Sequence, residues 1–262
     1  YKVIPCRFLF SFIISHSAFI ILLKVYAMSD QPQTEAARQS SAERRDEPEA
    51  RALPAHAAPF ASGRDYLNQL LSERNQHAER AADIDRQILR LFEQRVAILA
   101  MDMCGFTQLT MAHGIIHFLA MIRQMEEVAR PAISGNGGRV IKQEADDIFA
   151  VFTEPVRALE AALDILRGFS AINKVLPPER HLHGSIGIGF GDTLVIGDED
   201  MFGSEMNLAC KLGEDIAERD EILMTPAAYT ALPAGHYVLK PVHFALGEMD
   251  VHCYRYEQSL FS

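Results

Sequence analysis

Residues 96–110, VAILAMDMCGFTQLT, decide how this chain folds. The first six are nearly all apolar, which is typical of a central strand buried on both faces of a sheet. Asp102 follows at once, and Gly105 lets the chain turn sharply behind it without a side chain in the way. We therefore expect a buried strand that ends in a carboxylate held by rigid backbone.

The pattern after this strand predicts the rest of a mixed sheet. A helix over residues 107–129 should bury an apolar set that comprises Leu109, Ile116, Leu119, Ala120, Ile122 and Met125. Pro155 suits the first turn of a second helix. The order β-α-β-β-α-β with added strands predicts a ferredoxin-like α/β sandwich. The further predicted segments are strands 139–143, 147–153, 183–190, 222–224, 237–240 and 251–256 and helices 155–169 and 204–217.

Asp146 lies at the tip of the hairpin that joins residues 139–143 to residues 147–153. Neighbouring strands are about 4.8 Å apart, so Asp102 and Asp146 at two strand ends can share ions that lie ~4 Å apart. Magnesium prefers such oxygen ligands, completed by water and substrate phosphates. A solvated loop position is the commoner fate of either aspartate taken singly. As a pair in this topology, they predict a magnesium site that handles a nucleoside triphosphate.

The beginning of the chain has a different composition. Residues 8–23 form an apolar run that as a helix would span about 24 Å, short of the ~30 Å hydrocarbon core. We interpret residues 1–27 as sequence upstream of a true start at Met28, and favour a cytoplasmic protein over a membrane anchor or signal peptide. Residues 28–63, rich in Ala, Glu, Arg, Pro and Ser, are predicted to be a disordered linker.

Residues 64–94 are predicted to form an amphipathic helix that precedes the sheet. Apolar residues recur at spacings of three and four, which is also typical of a coiled-coil seam. The helix could therefore lie on its own domain or form a dimerising stalk, and the pattern favours neither. The seam residues are Ala81, Ile84, Ile88 and Leu91.

Charge and cysteine content exclude some classes of function. The formal net charge is −10, and no run of Lys or Arg is longer than Arg44-Arg45. A nucleic-acid-binding protein would concentrate positive charge on one face, so we expect no nucleic-acid partner. A nucleotide substrate remains compatible because a metal ion can supply local positive charge. The four cysteines include no CxxC pair and give no zinc or disulfide framework.

Three ordered blocks resemble the signature stretches of class III nucleotidyl cyclase catalytic domains. They are residues 96–110, residues 137–152 (GGRVIKQEADDIFAVF) and residues 197–216 (GDEDMFGSEMNLACKLGEDI). The resemblance implies a cyclase catalytic domain over residues 95–258 with active sites between two copies of the domain. It also implies that the ribose 3′-oxygen of ATP or GTP attacks the α-phosphorus, which gives a cyclic monophosphate and pyrophosphate.

The resemblance further implies roles for individual residues. The matching residues are Asp102 and Asp146 for two Mg²⁺ or Mn²⁺ ions per site, Lys142, Asp200, Phe106 and Thr107 for ATP, and Asn207 and Lys211 for catalysis. Lys142 and Asp200 suit adenine, since its amino group needs an acceptor and its ring nitrogen needs a donor. We therefore expect an adenylate cyclase that acts as a homodimer, with an upstream regulatory partner that the sequence does not identify.

Four positions depart from the family pattern; Ala145 and Ser204 stand where Gly and Asp are common, and the other two bear on catalysis. Lys211 replaces the arginine expected four residues after Asn207. The spacing still places both residues on one helical face, but the lysine ammonium is a point charge and cannot bind phosphate in the bidentate way of a guanidinium. Leu246 stands where a phosphate-binding lysine is common. These departures keep open a second hypothesis, a catalytically degenerate domain that dimerises or senses nucleotides. A diguanylate cyclase is disfavoured, because no Gly-Gly-[Asp/Glu]-Glu-Phe run occurs.

Overall fold

The computed structural model describes residues 63–105, 111–246 and 249–257 of the chain. The apolar run at residues 8–23 lies outside the described residues, as does the predicted linker apart from Gly63. In the described part of the chain, no helix is long and apolar enough to cross a membrane.

The described elements confirm a mixed α/β fold. Helices α1 (Gly63–Gln76) and α2 (Ala81–Phe92) flank a 3₁₀ turn and lead into β1 (Glu93–Met103). The elements that follow are α3 (Ile115–Gly135), β2 (Arg139–Glu144), β3 (Asp147–Phe152), α4 (Pro155–Asn173), a 3₁₀ turn (Pro178–Arg180), β4 (Gly184–Ile196), β5 (Asp200–Phe202), α5 (Ser204–Cys210), a π-helix (Lys211–Ile216), β6 (Ile222–Met224), α6 (Pro226–Thr230), β7 (Val238–Leu246) and β8 (Met249–Glu257).

A single sheet organises these elements. Its strand order is β2-β3-β1-β4-β6-β8-β7, and β5 pairs with β4 outside this path. Strand β1 is antiparallel to both β3 and β4, and alternate β1 residues Val96, Ile98 and Ala100 pack with residues of α5 in one core cluster. The intervening residues Ala97 and Leu99, on the opposite face, are also fully buried. Burial on both faces is what the apolar run at the start of β1 predicts.

The helix after β1 differs from its prediction. The pattern predicts a helix over residues 107–129, but α3 begins behind Gly114, whose φ of 83° lies outside the helical region, and it continues through Pro131. Ile116 and Leu119, predicted to be in the core, are 76% and 42% exposed. Met125 of the predicted set is buried and Ile122 is half-buried, so periodicity identified the buried face only in part. The buried side chains are Phe118, Met121, Gln124, Met125, Ala129 and Ile133.

The N-terminal helices pack against the sheet of the same chain. Tyr66, Leu67 and Leu70 of α1 form one buried cluster with Ile84 and Ile88 of α2 and with Ile196 at the end of β4; Phe92 also belongs to it. The predicted seam residues Ile84 and Ile88 are therefore buried within the chain, which supports the interpretation of a helix lying on its own domain.

A row of glycines on β4 allows the helical segment above it to approach the sheet closely. A Cβ atom on Gly187 would lie 1.9 Å from the Ala209 carbonyl oxygen, and one on Gly189 would lie 2.6 Å from the Glu205 carbonyl oxygen. Both distances are shorter than any van der Waals contact, so only glycine fits here. Gly187, Gly189 and Gly191 therefore keep one face of β4 free for α5.

We predict that Gly187→Ala destabilises the fold by about 3 kcal/mol or more, because the new methyl group meets helix backbone that cannot rotate away. Urea denaturation checks this. The matched control is Gly135→Ala at the end of α3, where nothing lies within 4 Å of the new Cβ atom. Equal stability of the two variants would show that α5 does not lie as close to β4 as described.

Candidate active site

Four carboxyl groups meet at the end of β1. Asp102 is the penultimate residue of β1, and Asp146 lies in the two-residue turn between β2 and β3. The two side chains are close enough to hydrogen-bond, and Asp146 is 8% exposed. The β1–β3 register pairs Met101 with Ile148, so its continuation places Asp147 opposite Asp102. The structure thus brings the predicted metal pair together.

The carboxylate cluster is defined as Asp102, Asp146, Asp147 and Glu214. Burial and repulsion between neighbouring carboxylates raise the pKa values of Asp102, Asp147 and Glu214. Burial first, and Asp146 second, raise the pKa of Asp102 to about 8. Burial and Glu214 raise the pKa of Asp147 to about 9. The pKa of Glu214 is raised to about 7 by burial and by Asp215. These raised pKa values indicate that the carboxylates repel one another and that too little positive charge lies nearby to offset the repulsion.

These residues fit a divalent cation bound through carboxylates. Asp102 and Asp146 supply the hard oxygen ligands that Mg²⁺ and Mn²⁺ accept, and Mg²⁺ usually keeps several water or phosphate ligands in addition. Among the described residues, no group of three or more His, Cys, Asp or Glu side chains is arranged so that it could hold a metal ion.

Sequence reasoning missed Asp147 and Glu214. Asp147 directly follows a proposed metal ligand, and Glu214 lies seven residues after Asn207, which is two turns along the same helical face. The position of Asp147 next to Asp146 and the spacing of Glu214 from Asn207 can both be read from the sequence. The π-helix that carries Glu214, with a bond from the Ala217 N–H to the Leu212 carbonyl, is not visible in the hydrophobic pattern. Single π-turns of this kind are frequent at functional sites.

Lys142 and Asp200 also meet, on β2 and at the start of β5. Lys142 Nζ lies 3.4 Å from Asp200 Oδ1 and 2.9 Å from Glu144 Oε1. Partial burial lowers the pKa of Lys142, but hydrogen bonding to Glu144 and the charges of Glu144 and Asp200 outweigh burial and raise it. An open groove of 490 Å³ lies beside Lys142 and is also lined by Arg64 and Glu144. Lys142 therefore borders a space that is open to a ligand, and it contacts Asp200 from there.

Asn207 and Lys211 lie on the helical segment that rests on β4. Glu205 fixes this segment, since its Oε2 accepts bonds from the Phe190 N–H at 3.0 Å and from the Thr225 hydroxyl at 2.7 Å. Asn207 is exposed. Lys211 Nζ lies 3.1 Å from Asp215 Oδ2, so Lys211 forms an ion pair with a residue of its own helical segment.

Three predicted positions cannot be assessed from the structure. Phe106 and Thr107 lie outside the described residues. Leu246 ends β7, and its side chain also falls outside the described part of the chain. Their roles remain predictions.

Comparison with curated proteins finds cyclases over part of the chain. No protein-family model matches. An adenylate cyclase of Streptomyces coelicolor (strain ATCC BAA-471 / A3(2) / M145) is 28% identical over 137 residues, which is 52% of this chain and 34% of that protein. A Rhizobium meliloti (strain 1021) protein with the provisional name adenylate cyclase 3 is 29% identical over 116 residues, 44% of this chain and 20% of that protein. The chain thus spans a fifth to a third of these relatives.

Solved structures share the fold. Adenylyl cyclase CyaB from P. aeruginosa superposes with a TM-score of 0.55 at 18% identity, over 64% of this chain and 97% of that one. An adenylate/guanylate cyclase/hydrolase from Silicibacter pomeroyi gives a TM-score of 0.54 at 24% identity, over 63% of this chain and 96% of that one. The chain therefore has the fold of class III nucleotidyl cyclase catalytic domains, which confirms the predicted fold class and the resemblance.

We predict that Ala145→Gly stabilises the protein by roughly 0.5–1 kcal/mol, because a left-handed conformation costs an L-residue more than glycine loses in chain entropy. Ala145 has a φ of 53° in the turn that carries Asp146. Thermal unfolding measures the change. Ala171→Gly on the exposed side of α4 is the control and should destabilise. A loss of stability in Ala145→Gly would contradict the turn geometry.

We also predict that the metal-free protein loses stability as the pH rises. Asp102 and Asp147 titrate near pH 4 when unfolded but near 8 and 9 when folded. Their contribution to the free energy of unfolding is therefore complete below about pH 4 and is lost as the pH rises through about 8 to 9. Because Mg²⁺ binds the ionised groups, its stabilising effect should grow over the same range.

Thermal unfolding at about pH 6 and about pH 9, with and without Mg²⁺, tests this prediction. We expect a larger increase of Tm with Mg²⁺ at the higher pH, and a smaller increase in Asp102→Asn. An effect of Mg²⁺ that is the same in wild type and in Asp102→Asn would show that Asp102 does not bind the ion.

Proposed function

We propose that this chain is an adenylate cyclase that converts ATP into 3′,5′-cyclic AMP and pyrophosphate at a site shared by two copies. The observation that carries this proposal is the contact of Asp200 with Lys142, which lines an open groove, on the same fold that gathers Asp102 and Asp146. The first pair suits adenine and the second suits divalent cations.

The reaction forms one bond and breaks one. The ribose 3′-oxygen attacks the α-phosphorus, the bond from that phosphorus to the bridging oxygen of the β-phosphate breaks, and pyrophosphate leaves while the hydroxyl proton passes to solvent. Bound Mg²⁺ or Mn²⁺ would make the hydroxyl more acidic and compensate the phosphate charge. Asp102 and Asp146 would hold these two ions.

The remaining side chains bind and orient ATP. Lys142 would donate to a ring nitrogen of adenine, and Asp200 would accept from its amino group. Asn207 would orient the ribose, and Lys211 would compensate charge that develops on the phosphates. One such contact is worth about 10²–10³ in rate. Because Lys211 already shares its charge with Asp215, its contribution should lie toward the lower limit.

An exposed apolar surface formed by the start of α3 and by Met111 before it supports dimer formation. Met111, Ile115, Ile116 and Leu119 are 84%, 43%, 76% and 42% exposed. Contiguous apolar surface of this kind is typical of interaction sites. A second copy of the chain would cover it and could bring its own Asn207 and Lys211 to the carboxylate cluster. The homodimer is accordingly part of the proposal.

The test is identification of the product. The full chain is incubated with ATP or GTP in the presence of Mn²⁺, and the nucleotides are separated and identified by mass spectrometry. We expect cyclic AMP from ATP and much less cyclic GMP from GTP. Cyclic GMP as the main product would contradict the role of Lys142 and Asp200.

A second candidate is a cyclase-like domain without turnover that dimerises or binds nucleotides. The contact between Lys211 and Asp215 favours it, because a lysine held by its own helical segment is a weak substitute for arginine. Folded, dimeric protein that binds ATP but forms no cyclic product with Mn²⁺ would support this candidate over the enzyme.

We predict that Asp102→Ala abolishes cyclic AMP formation and that mixing it with Asn207→Ala restores about a quarter of the wild-type rate, because random pairing leaves one intact site in each mixed dimer. Rates are measured after the two inactive proteins are unfolded and refolded together. The control mixture, Asp102→Ala with Asp146→Ala, carries a defect in every carboxylate cluster and should stay inactive. No recovery in the first mixture would count against a shared site.

A further inference from the structure

The N-terminus of α1 lies against the turn that carries Asp200. The Gly63 N–H donates to Glu199 Oε1 at 2.9 Å. The next residue, Arg64, forms an ion pair with Asp200 through its guanidinium NH2 group and Asp200 Oδ2. Two successive residues of the helix thus bind two successive residues of the turn.

This contact is held in place by the packing behind it. Tyr66, Leu67 and Leu70 on the same helix are 3–5% exposed and share a cluster with Ile196, four residues before Asp200. Gln87 of α2 donates a further bond to the Tyr66 hydroxyl at 3.1 Å. Because α1 is fixed to the end of β4, the position of Arg64 is determined by the fold.

Asp200 divides its hydrogen bonds between its two oxygens. Oδ1 accepts the Met201 N–H at 2.9 Å and faces Lys142 Nζ at 3.4 Å, whereas Oδ2 accepts from Arg64. The Asp200 side chain is only 9% exposed. A carboxylate offers about four acceptor positions, so room remains for one donor from a ligand. Because Arg64 holds one oxygen and the Met201 N–H holds the other, Arg64 helps to fix the orientation of the Asp200 carboxylate.

We propose that Arg64 is a positioning residue for base selection, which fixes the Asp200 carboxylate so that the domain prefers ATP to GTP. The inference rests on the proposed function, because it assumes that Asp200 and Lys142 read the base. Without Arg64, the carboxylate is free to turn its oxygens toward Lys142, so adenine loses an oriented acceptor for its amino group. Guanine presents an oxygen acceptor at the corresponding position and gains nothing from that carboxylate.

The test measures binding without turnover. Titration calorimetry with 3′-deoxy-ATP and 3′-deoxy-GTP, which cannot cyclise, is done with Mg²⁺ on the full chain. For Arg64→Ala we expect the ATP-analogue affinity to fall about tenfold and the ratio of the two affinities to fall with it. Arg64→Lys, which keeps the charge without the planar fork, should give an intermediate ratio. In turnover, KM for ATP should rise while kcat changes by less than about threefold.

Arg74→Ala is the matched control. Arg74 lies on the same helix, but its guanidinium pairs with Asp85 of α2 at 2.5 and 3.0 Å and touches neither Asp200 nor its turn. This variant should keep the wild-type ratio of affinities. Circular dichroism and thermal unfolding confirm that both variants are folded.

The outcomes separate this inference from the proposed function. An unchanged ratio in Arg64→Ala, or an equal loss for both nucleotides, overturns the inference and leaves the enzyme proposal intact. A lowered ratio in a protein that forms no cyclic AMP supports the inference and overturns the catalytic proposal. A wild-type chain that binds neither analogue overturns both.

Discussion

The close contact between β4 and the helical segment above it is the constraint on which the rest of the domain depends. Gly187 and Gly189 leave no side chain between the strand and the backbone of α5, so helix and sheet lie at their shortest possible separation. The same strand pairs with β1 over the full length of β1. One strand therefore fixes Asp102 on its neighbour and Asn207 on the helix that covers it.

Asp102 and Asp200 lie in opposite electrostatic environments. Asp102 is surrounded by Asp146, Asp147 and Glu214, and burial with this repulsion raises its pKa. Asp200 is instead bonded by Lys142, Arg64 and a backbone N–H. The first environment favours a divalent cation, whereas the second has its charge compensated and suits recognition of an uncharged base.

The strands were more predictable than the helices because their signals are stronger. The apolar run of β1, the hairpin around Asp146 and Pro155 at the start of α4 are all where the pattern predicts them. The face of α3 was predicted only in part, since Met125 is buried whereas Ile116 and Leu119 are exposed. Apolar residues on an exposed side of a helix recur at the same spacings as those in a core, so periodicity cannot separate them.

The sequence by itself predicted the α/β class and the pairing of Asp102 with Asp146, because both follow from the order of strands and turns along the chain. Its resemblance to class III cyclases singled out Lys142 and Asp200. Only the tertiary structure decided that Glu214 joins the carboxylates and that Arg64 contacts Asp200. Arg64 and Asp200 are 136 residues apart. Contacts at such separations depend on how α1 packs on the end of β4, and no local pattern encodes that packing.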